Sequence, residues 1–195
     1  MAYRNLYLVR HGQYLSKQRD AGALTPLGED QAHAAAQALK HVPFSRIYFS
    51  TMLRAEQTAR IIATQHHAIN FQPTDLLREC IPTIPPGFEN AFRSVAPDLT
   101  EEKVTLCADQ LDSAFDQLIC PPADDDENVH ELLVCHGNVI RYLVARTLHF
   151  DPHIWVKMMI NHCGITRLMV DADGEVYLVS HNETGHLPFD LRTEN

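Results

Sequence analysis

Arg10-His11-Gly12, Arg54, Glu79 and Cys135-His136-Gly137 are the positions of this chain whose residue types suit one kind of chemistry, the handling of a phosphoryl group. A phosphate ester calls for guanidinium forks that grip its oxygens in bidentate fashion and for backbone N–H groups at a helix start. Arg10, Arg54 and the amide of Gly137 are the candidates. The attacking group needs a lone pair near neutral pH, and an imidazole with an ordinary pKa of about 6.5 has one. His11 meets that requirement, with Gly12 next to it to let the backbone turn sharply without a side chain in the way. An alkoxide leaving group must be protonated, which asks for a carboxylic acid whose pKa stands above the free Glu value of about 4.3. Glu79 is the candidate, and His136 is the candidate for stabilising charge on the transferring group.

The elements that would have to position these side chains are legible as hydrophobic runs. Asn5-Leu6-Tyr7-Leu8-Val9 has the unbroken apolar character of a strand buried on both faces, and it ends at Arg10-His11-Gly12. Thr25-Pro26 opens a helix with Pro in the first turn, after which Ala32, Ala35, Ala36 and Leu39 recur at helical spacing. Arg46-Ile47-Tyr48-Phe49 reads as a second strand, with Ser50-Thr51 as caps for a helix carrying Leu53, Ala55, Ala59, Ile62 and Ala63. Glu131 to Cys135 is a further buried-strand run, followed by a helix bearing Val139, Leu143, Val144 and Leu148. Val104 to Ile119 is helical in period. Gly164 to Asp171 and Glu175 to Ser180 read as strands joined at Asp173-Gly174, a hairpin signal.

Strands alternating with helices give an α/β fold with a mostly parallel sheet covered on both faces and an antiparallel C-terminal hairpin. In such sheets reactive groups collect at the carboxyl ends of the strands, and Arg10-His11, Arg54 and His136 all follow strands. Glu79 ends an extended apolar stretch, just before a Pro-rich segment from Cys80 to Pro97 in which regular structure is not expected. The two phenylalanines there, Phe88 and Phe92, favour a specificity loop. Asp124-Asp125-Asp126-Glu127 reads as a solvated acidic loop.

A length of 195 residues with 45% apolar content suits a single domain spanning residues 1–195. Sixteen Lys plus Arg against twenty-five Asp plus Glu leave a net charge of −9, which disfavours nucleic acid and anionic membranes as partners. No apolar stretch approaches the roughly 18 residues of a membrane span, and the first strand begins too near Met1 to leave room for a leader. A soluble cytoplasmic protein is the expectation. The five cysteines, Cys80, Cys107, Cys120, Cys135 and Cys163, are odd in number and scattered, which reads as reduced thiols. Twelve histidines raise a metal site, with His149 and His153 at helical spacing, but no ligand cluster supports one; neither metal nor cofactor is expected.

Leu8-Val9-Arg10-His11-Gly12 together with His136-Gly137 resembles the histidine phosphatase superfamily, the phosphoglycerate-mutase-like enzymes. The runs Leu24-Thr25-Pro26-Leu27-Gly28, Ser50 to Ala55, Leu76 to Glu79, Cys135 to Tyr142 and Asn161 to Thr166 are similar to its protein serine/threonine phosphatase branch. The resemblance implies a three-layer α/β/α fold and no metal. It also implies that His11 becomes a phosphohistidine, that Arg10, Arg54 and His136 surround the phosphate, that Glu79 acts as acid and then base, and that water releases phosphate. The substrate it implies is a phosphoserine or phosphothreonine protein or a small phosphomonoester. Tyr14 and Lys17 depart from the Ser or Thr and the Asn usual in the first motif. The membrane and multimerisation segments of that branch precede the first motif, and with the motif starting at Leu8 neither is carried over.

Three rivals remain open. Cys135 and Arg141 have the five-residue separation of cysteine-dependent phosphatases, although bulky Val139 and Ile140 stand where such a loop favours small residues. A sugar-phosphate mutase would use the same histidine, yet the Cys80–Pro97 segment offers only Arg93 to hold a second acidic group. A non-catalytic phosphoprotein-binding module would need neither His11 nor Glu79.

Overall fold

The computed structural model describes residues 2–16, 21–67, 69–123 and 127–194. Six strands form one mixed sheet: β1 (Arg4–Arg10), β2 (Arg46–Ser50), β3 (Asn70–Thr74), β4 (Val129–Cys135), β5 (Ile165–Val170) and β6 (Val176–Glu183). Their spatial order is β3-β2-β4-β1-β5-β6. The first four in that order run parallel, while β5 is antiparallel to β1 and to β6. The helices are α1 (Pro26–Leu39), α2 (Leu53–Ala63), α3 (Glu89–Val95), α4 (Glu101–Leu118) and α5 (Gly137–Thr147).

Alternation along the central strands divides the core into two layers. Leu6 and Leu8 of β1 point with Leu133 and Cys135 of β4 toward Leu111 and Ala114 of α4 and Val139, Ile140 and Leu143 of α5. Tyr7 and Val9 point with Leu132 and Val134 to the other side, against Ala32, Ala35 and Ala36 of α1 and Ala55, Ala59 and Ile62 of α2. Two-sided burial is why these strands read as unbroken apolar runs rather than as alternating ones. The small residues let α1 and α2 lie close together on their side of the sheet.

Local details refine the sequence reading. Thr25 caps α1 as expected, accepting the Gly28 amide, with Pro26 at the first position. The hairpin between β5 and β6 turns at Gly174, whose φ of 87° suits glycine. By contrast, Ser50 and Thr51 do not cap α2; its N-cap is Met52, with no side-chain cap bond. The Ser50 hydroxyl accepts the Met52 amide at 3.3 Å, and Thr51 Oγ1 donates to Asp75 Oδ1 at 2.5 Å. Strand β3 escaped the pattern because its residues are only half buried and Pro73 interrupts it; an edge strand tolerates that proline. The segment expected to be irregular contains α3, whose Phe92 ring lies 5.9 Å from Trp155. Of the acidic loop, residues 124–126 lie outside the described residues, as does Lys17.

Gly12 is required for a different reason from the one its position suggested. A Cβ there would stand 2.4 Å from the carbonyl oxygen of Gly28, so the turn after β1 and the first turn of α1 touch through bare backbone. The reading of five reduced thiols is also corrected, since Cys80 and Cys107 form a disulfide. Burial of Cys107 on α4 beneath the Cys80 loop brings together two residues whose separation of 27 had concealed the pairing. Closing a loop of that length removes freedom from the unfolded chain worth about 3.5 kcal/mol. Cys107→Ser is expected to lower the unfolding free energy by about that amount, read from urea denaturation with and without reductant. A variant as stable as the oxidised parent would contradict the pairing.

Candidate active site

The parallel strands β1, β2 and β4 end along one rim of the sheet, so the residues that follow them are neighbours in space. His11 is tied to that rim by its amide, which donates to the Cys135 carbonyl at 3.0 Å. Gly12 donates to Thr58 Oγ1 of α2 at 3.1 Å. His11 shows only 2% of its surface, and its Nδ1 lies 2.8 Å from the Gly12 carbonyl. A carbonyl only accepts, so Nδ1 carries the ring proton and Nε2 keeps its lone pair. Nε2 accepts a bond from Arg54 Nε at 3.1 Å. The His136 ring centroid lies 5.0 Å from that of His11.

Arg10 is buried, and its NH1 donates to the carbonyls of Ile160 and Glu194, at 2.6 and 2.5 Å, while its Nε has no hydrogen-bond partner. Burial lowers its pKa to about 10, and the nearby Glu79 carboxylate opposes the shift. Arg54 sits in the first turn of α2, is 3% exposed, and has its guanidinium 4.3 Å above the Tyr14 ring. Tyr14 also presents a ring edge to His11 at 5.1 Å. The departure from the usual first motif thus puts an aromatic support against both Arg54 and His11.

Glu79 is partly buried just beyond a short 3-10 turn (Asp75–Leu77). Desolvation raises its pKa, against the pull of Arg10, Arg54 and amide bonds from Asn138 and Cys80. The Cys80 amide donates to its Oε1 at 3.2 Å, and Asn138 Nδ2 donates to the Cys80 carbonyl at 3.0 Å. The disulfide from Cys80 to α4 holds the same loop from behind. His136 is the N-cap of α5, fully buried, with Nε2 2.8 Å from Ser50 Oγ and Nδ1 without a partner. Gly137 is the first residue of α5, and a Cβ there would pack 3.6 Å from Arg10 Nε. All six positions singled out by sequence therefore meet around one space. A cavity of about 330 Å³, lined by Tyr14, Met52, Arg54, Glu79, Val95 and Asn138 among others, opens beside it.

Sequence reading missed a third imidazole. His162 is 1% exposed, and its ring centroid lies 5.6 Å from that of His11. It precedes β5, and an antiparallel strand brings its N-terminal end to the rim where parallel strands bring their carboxyl ends. Cys135, by contrast, faces the apolar layer below, and burial pushes its thiol pKa up, so the thiolate alternative has no support. Among the described residues no three His, Cys, Asp or Glu side chains are grouped as a metal site would require.

Burial lowers the pKa of His11 and His136 well below 6.5, with Arg10 and Arg54 adding to both and His136 to His11; His162 falls to about 3 for the same reasons. These three rings are neutral in the folded protein and take up protons near pH 6.5 once unfolded. Folded stability is therefore complete above that pH and falls as pH drops below it, by about 1.4 kcal/mol per pH unit for each ring. Glu79 acts in the opposite sense, since its raised pKa adds stability as pH falls through that value. His66, His130, His181 and His186, whose pKa burial also lowers, act in the same sense as these three rings, so urea midpoints measured at about pH 7, 6 and 5 are expected to decline steadily; a flat series would contradict neutral burial of these rings.

Residues 6–184 match the profile described as the histidine phosphatase superfamily (branch 1). The chain is 36% identical over 193 residues to the mitochondrial serine/threonine-protein phosphatase Pgam5 of Caenorhabditis briggsae, covering 95% of this chain and 65% of that protein. It is 34% identical over 202 residues to human PGAM5, covering 100% and 67%. The chain thus spans about two thirds of the length of these relatives. Among solved structures, a phosphoglycerate mutase from Plasmodium falciparum superimposes with a TM-score of 0.66 at 26% identity, covering 97% of this chain and 96% of that one. Bacillus stearothermophilus YhfR superimposes with a TM-score of 0.75 at 21% identity, covering 95% and 100%, a likeness of fold. The expectation of a cytoplasmic protein is overturned, because these curated relatives are designated mitochondrial. That expectation rested on the few residues ahead of β1, which say nothing about sorting in a chain shorter than its relatives. No helix among the described residues is long and apolar enough to cross a membrane.

Proposed function

Because the chain belongs to the histidine phosphatase superfamily, we propose that it hydrolyses phosphomonoesters through a phosphohistidine on His11, with phosphoserine or phosphothreonine proteins as substrates. The observation that carries this reading is the His11 ring itself: proton fixed on Nδ1 by Gly12, lone pair on Nε2, and Arg54 already bonded at the nitrogen that must attack.

The reaction follows from these groups. A phosphoryl group entering the site takes the guanidinium N–H groups of Arg54 and Arg10, and Arg54 releases Nε2. The Nε2 lone pair forms a bond to phosphorus as the bond from phosphorus to the leaving oxygen breaks. Glu79, whose pKa is raised by burial, gives its proton to that oxygen. Neutral His136 and the first amides of α5 stabilise the equatorial oxygens. The Glu79 carboxylate then takes a proton from water as the water oxygen bonds to phosphorus and the bond to Nε2 breaks, returning neutral His11 and inorganic phosphate.

Protein substrates are favoured by the names of the curated relatives and by the open mouth beside Glu79. A mutase would have to hold an acceptor with a second acidic group, and among the described residues the cavity beside Glu79 is lined by no Lys or Arg beyond Arg54.

On an aryl phosphate, His11→Ala is expected to abolish turnover while Cys135→Ser retains it; the reverse pattern would overturn the assignment. Arg54→Ala should lower kcat by about a hundredfold. Assays of released phosphate against isomerised phosphoglycerate separate hydrolysis from mutase activity.

The pH dependence follows from the two titrating groups. For an alkyl phosphate, kcat/KM rises as His11 loses its proton, well below pH 6.5, and falls as pH passes the raised pKa of Glu79. A bell-shaped profile is expected, with the descending limb absent in Glu79→Gln. A descending limb that persists in that variant would remove Glu79 from the acid role.

A further inference from the structure

We propose that His162 is a catalytic residue of the same pocket, a third imidazole whose Nε2–H donates to an oxygen of the transferring phosphoryl group. This rests on the phosphatase reading and adds to it a group that neither its position in the sequence nor the first and fourth strand ends would nominate.

The backbone first fixes where the ring stands. The Cys163 amide donates to the Arg10 carbonyl at 3.0 Å, and the His162 amide donates to the Thr193 carbonyl at 2.9 Å. His162 is therefore held between the residue before His11 and the C-terminal segment, with its ring 5.6 Å from the His11 ring. It is 1% exposed, yet its Nε2 has no hydrogen-bond partner. A buried polar nitrogen left unpaired is costly, and native proteins keep few of them. Two other buried nitrogens near His11 are in the same condition, Arg10 Nε and His136 Nδ1.

The hydrogen-bond network then decides whether the free nitrogen of His162 is a donor. The Gln13 amide donates to Gln31 Oε1 at 2.8 Å, which fixes the orientation of that side-chain amide and makes Gln31 Nε2 the donor to Thr193 Oγ1, also at 2.8 Å. Thr193 Oγ1 has one other partner among the described residues, His162 Nδ1 at 2.8 Å. The Thr193 carbonyl also faces the ring, but it is the hydroxyl that stands in hydrogen-bond geometry to Nδ1; a hydroxyl that receives one N–H satisfies its own proton by donating it, and of its two partners only the ring nitrogen can accept. Nδ1 of His162 is then the acceptor, and the proton resides on Nε2.

His136 is wired in the same way through a different hydroxyl. Ser50 Oγ accepts the Met52 amide and stands 2.8 Å from His136 Nε2, so the hydroxyl proton goes to Nε2 and the ring proton sits on the unpaired Nδ1. Two neutral imidazoles, each set by a hydroxyl, thus present bare N–H groups near His11, and Arg10 Nε presents a third. A set composed only of buried donors fits an anion with several acceptor oxygens, which is the chemistry of a phosphoryl group. Burial with Arg10 and Arg54 nearby holds His162 near pKa 3, so it serves as a neutral donor throughout the working range.

The test compares the full chain with His162→Ala and with His162→Asn, whose amide restores a donor. The readouts are turnover of an aryl phosphate and affinity for orthovanadate, which reproduces the five-coordinate geometry of phosphoryl transfer. His162→Ala is expected to lower both kcat/KM and vanadate affinity by on the order of a hundredfold, with at least a tenfold recovery in His162→Asn. An alanine variant of unchanged thermal midpoint that stays within threefold of wild type on both measures would overturn the proposal. If the alanine variant does not fold, ring-nitrogen NMR of the wild type decides the matter: a protonated His162 Nε2 shifted on binding vanadate supports the contact, and an unprotonated Nε2 in that complex refutes it. Wild-type turnover alone decides the phosphatase reading, while the vanadate and NMR readouts decide His162 whichever way that falls.

Discussion

The chemistry of this site depends on keeping one imidazole dry, neutral and pointed in one direction. His11 is enclosed beside the Arg10 and Arg54 guanidinium groups, so that burial first and those positive charges in addition disfavour a protonated ring. The carbonyl of Gly12 takes the proton-bearing nitrogen, so the lone pair faces Arg54. Much of the surrounding structure serves that arrangement. Gly12 lies against the Gly28 carbonyl and Gly28 against the Gln13 carbonyl, approaches that a Cβ on either glycine would block, and Thr58 of α2 holds the Gly12 amide. The same positive surroundings that forbid a charged histidine attract the phosphoryl dianion.

The mixed sheet explains how a small scaffold brings so many groups to one rim. Parallel β1, β2 and β4 deliver His11, the α2 turn with Arg54, and His136 from their carboxyl ends, while β5, running the other way, delivers His162 from its amino end. The C-terminal segment closes over the result, with Glu194 accepting from Arg10 and Thr193 joining Gln31 to His162. On the opposite flank the carboxyl of Glu79 is held by amides of its own loop and of α5, and that loop is bound to α4 by the disulfide. The proposed acid and the proposed nucleophile are therefore held by separate parts of the chain.

The fold and most of the site could be read from the sequence because β1 and β4 are buried on both faces, which leaves an apolar run ending abruptly in charged and imidazole residues. Arg10, His11 and His136 stand out for that reason, and Glu79 because it closes a run before a proline-rich loop. What the sequence concealed has physical causes. His162 precedes an antiparallel strand, where a reading confined to carboxyl ends does not look. Ser50 has the composition of a helix cap, but its hydroxyl is drawn to His136 across the sheet, a contact between residues 86 apart. The Cys80–Cys107 pair depends on packing of α4 against a loop without periodicity. Tyr14 stood out in the sequence only as a departure from the usual first motif, and it proves to be the surface on which Arg54 rests.

The claim on which everything else stands is that Nε2 of His11 is the atom that bonds to phosphorus. Mixing the protein with an excess of substrate, quenching in alkali and locating the acid-labile phosphate by phosphorus NMR and peptide mapping addresses it directly. The account predicts a single phosphohistidine at residue 11, attached through Nε2. Turnover with phosphate found on His136, on His162 or on no residue at all would contradict it.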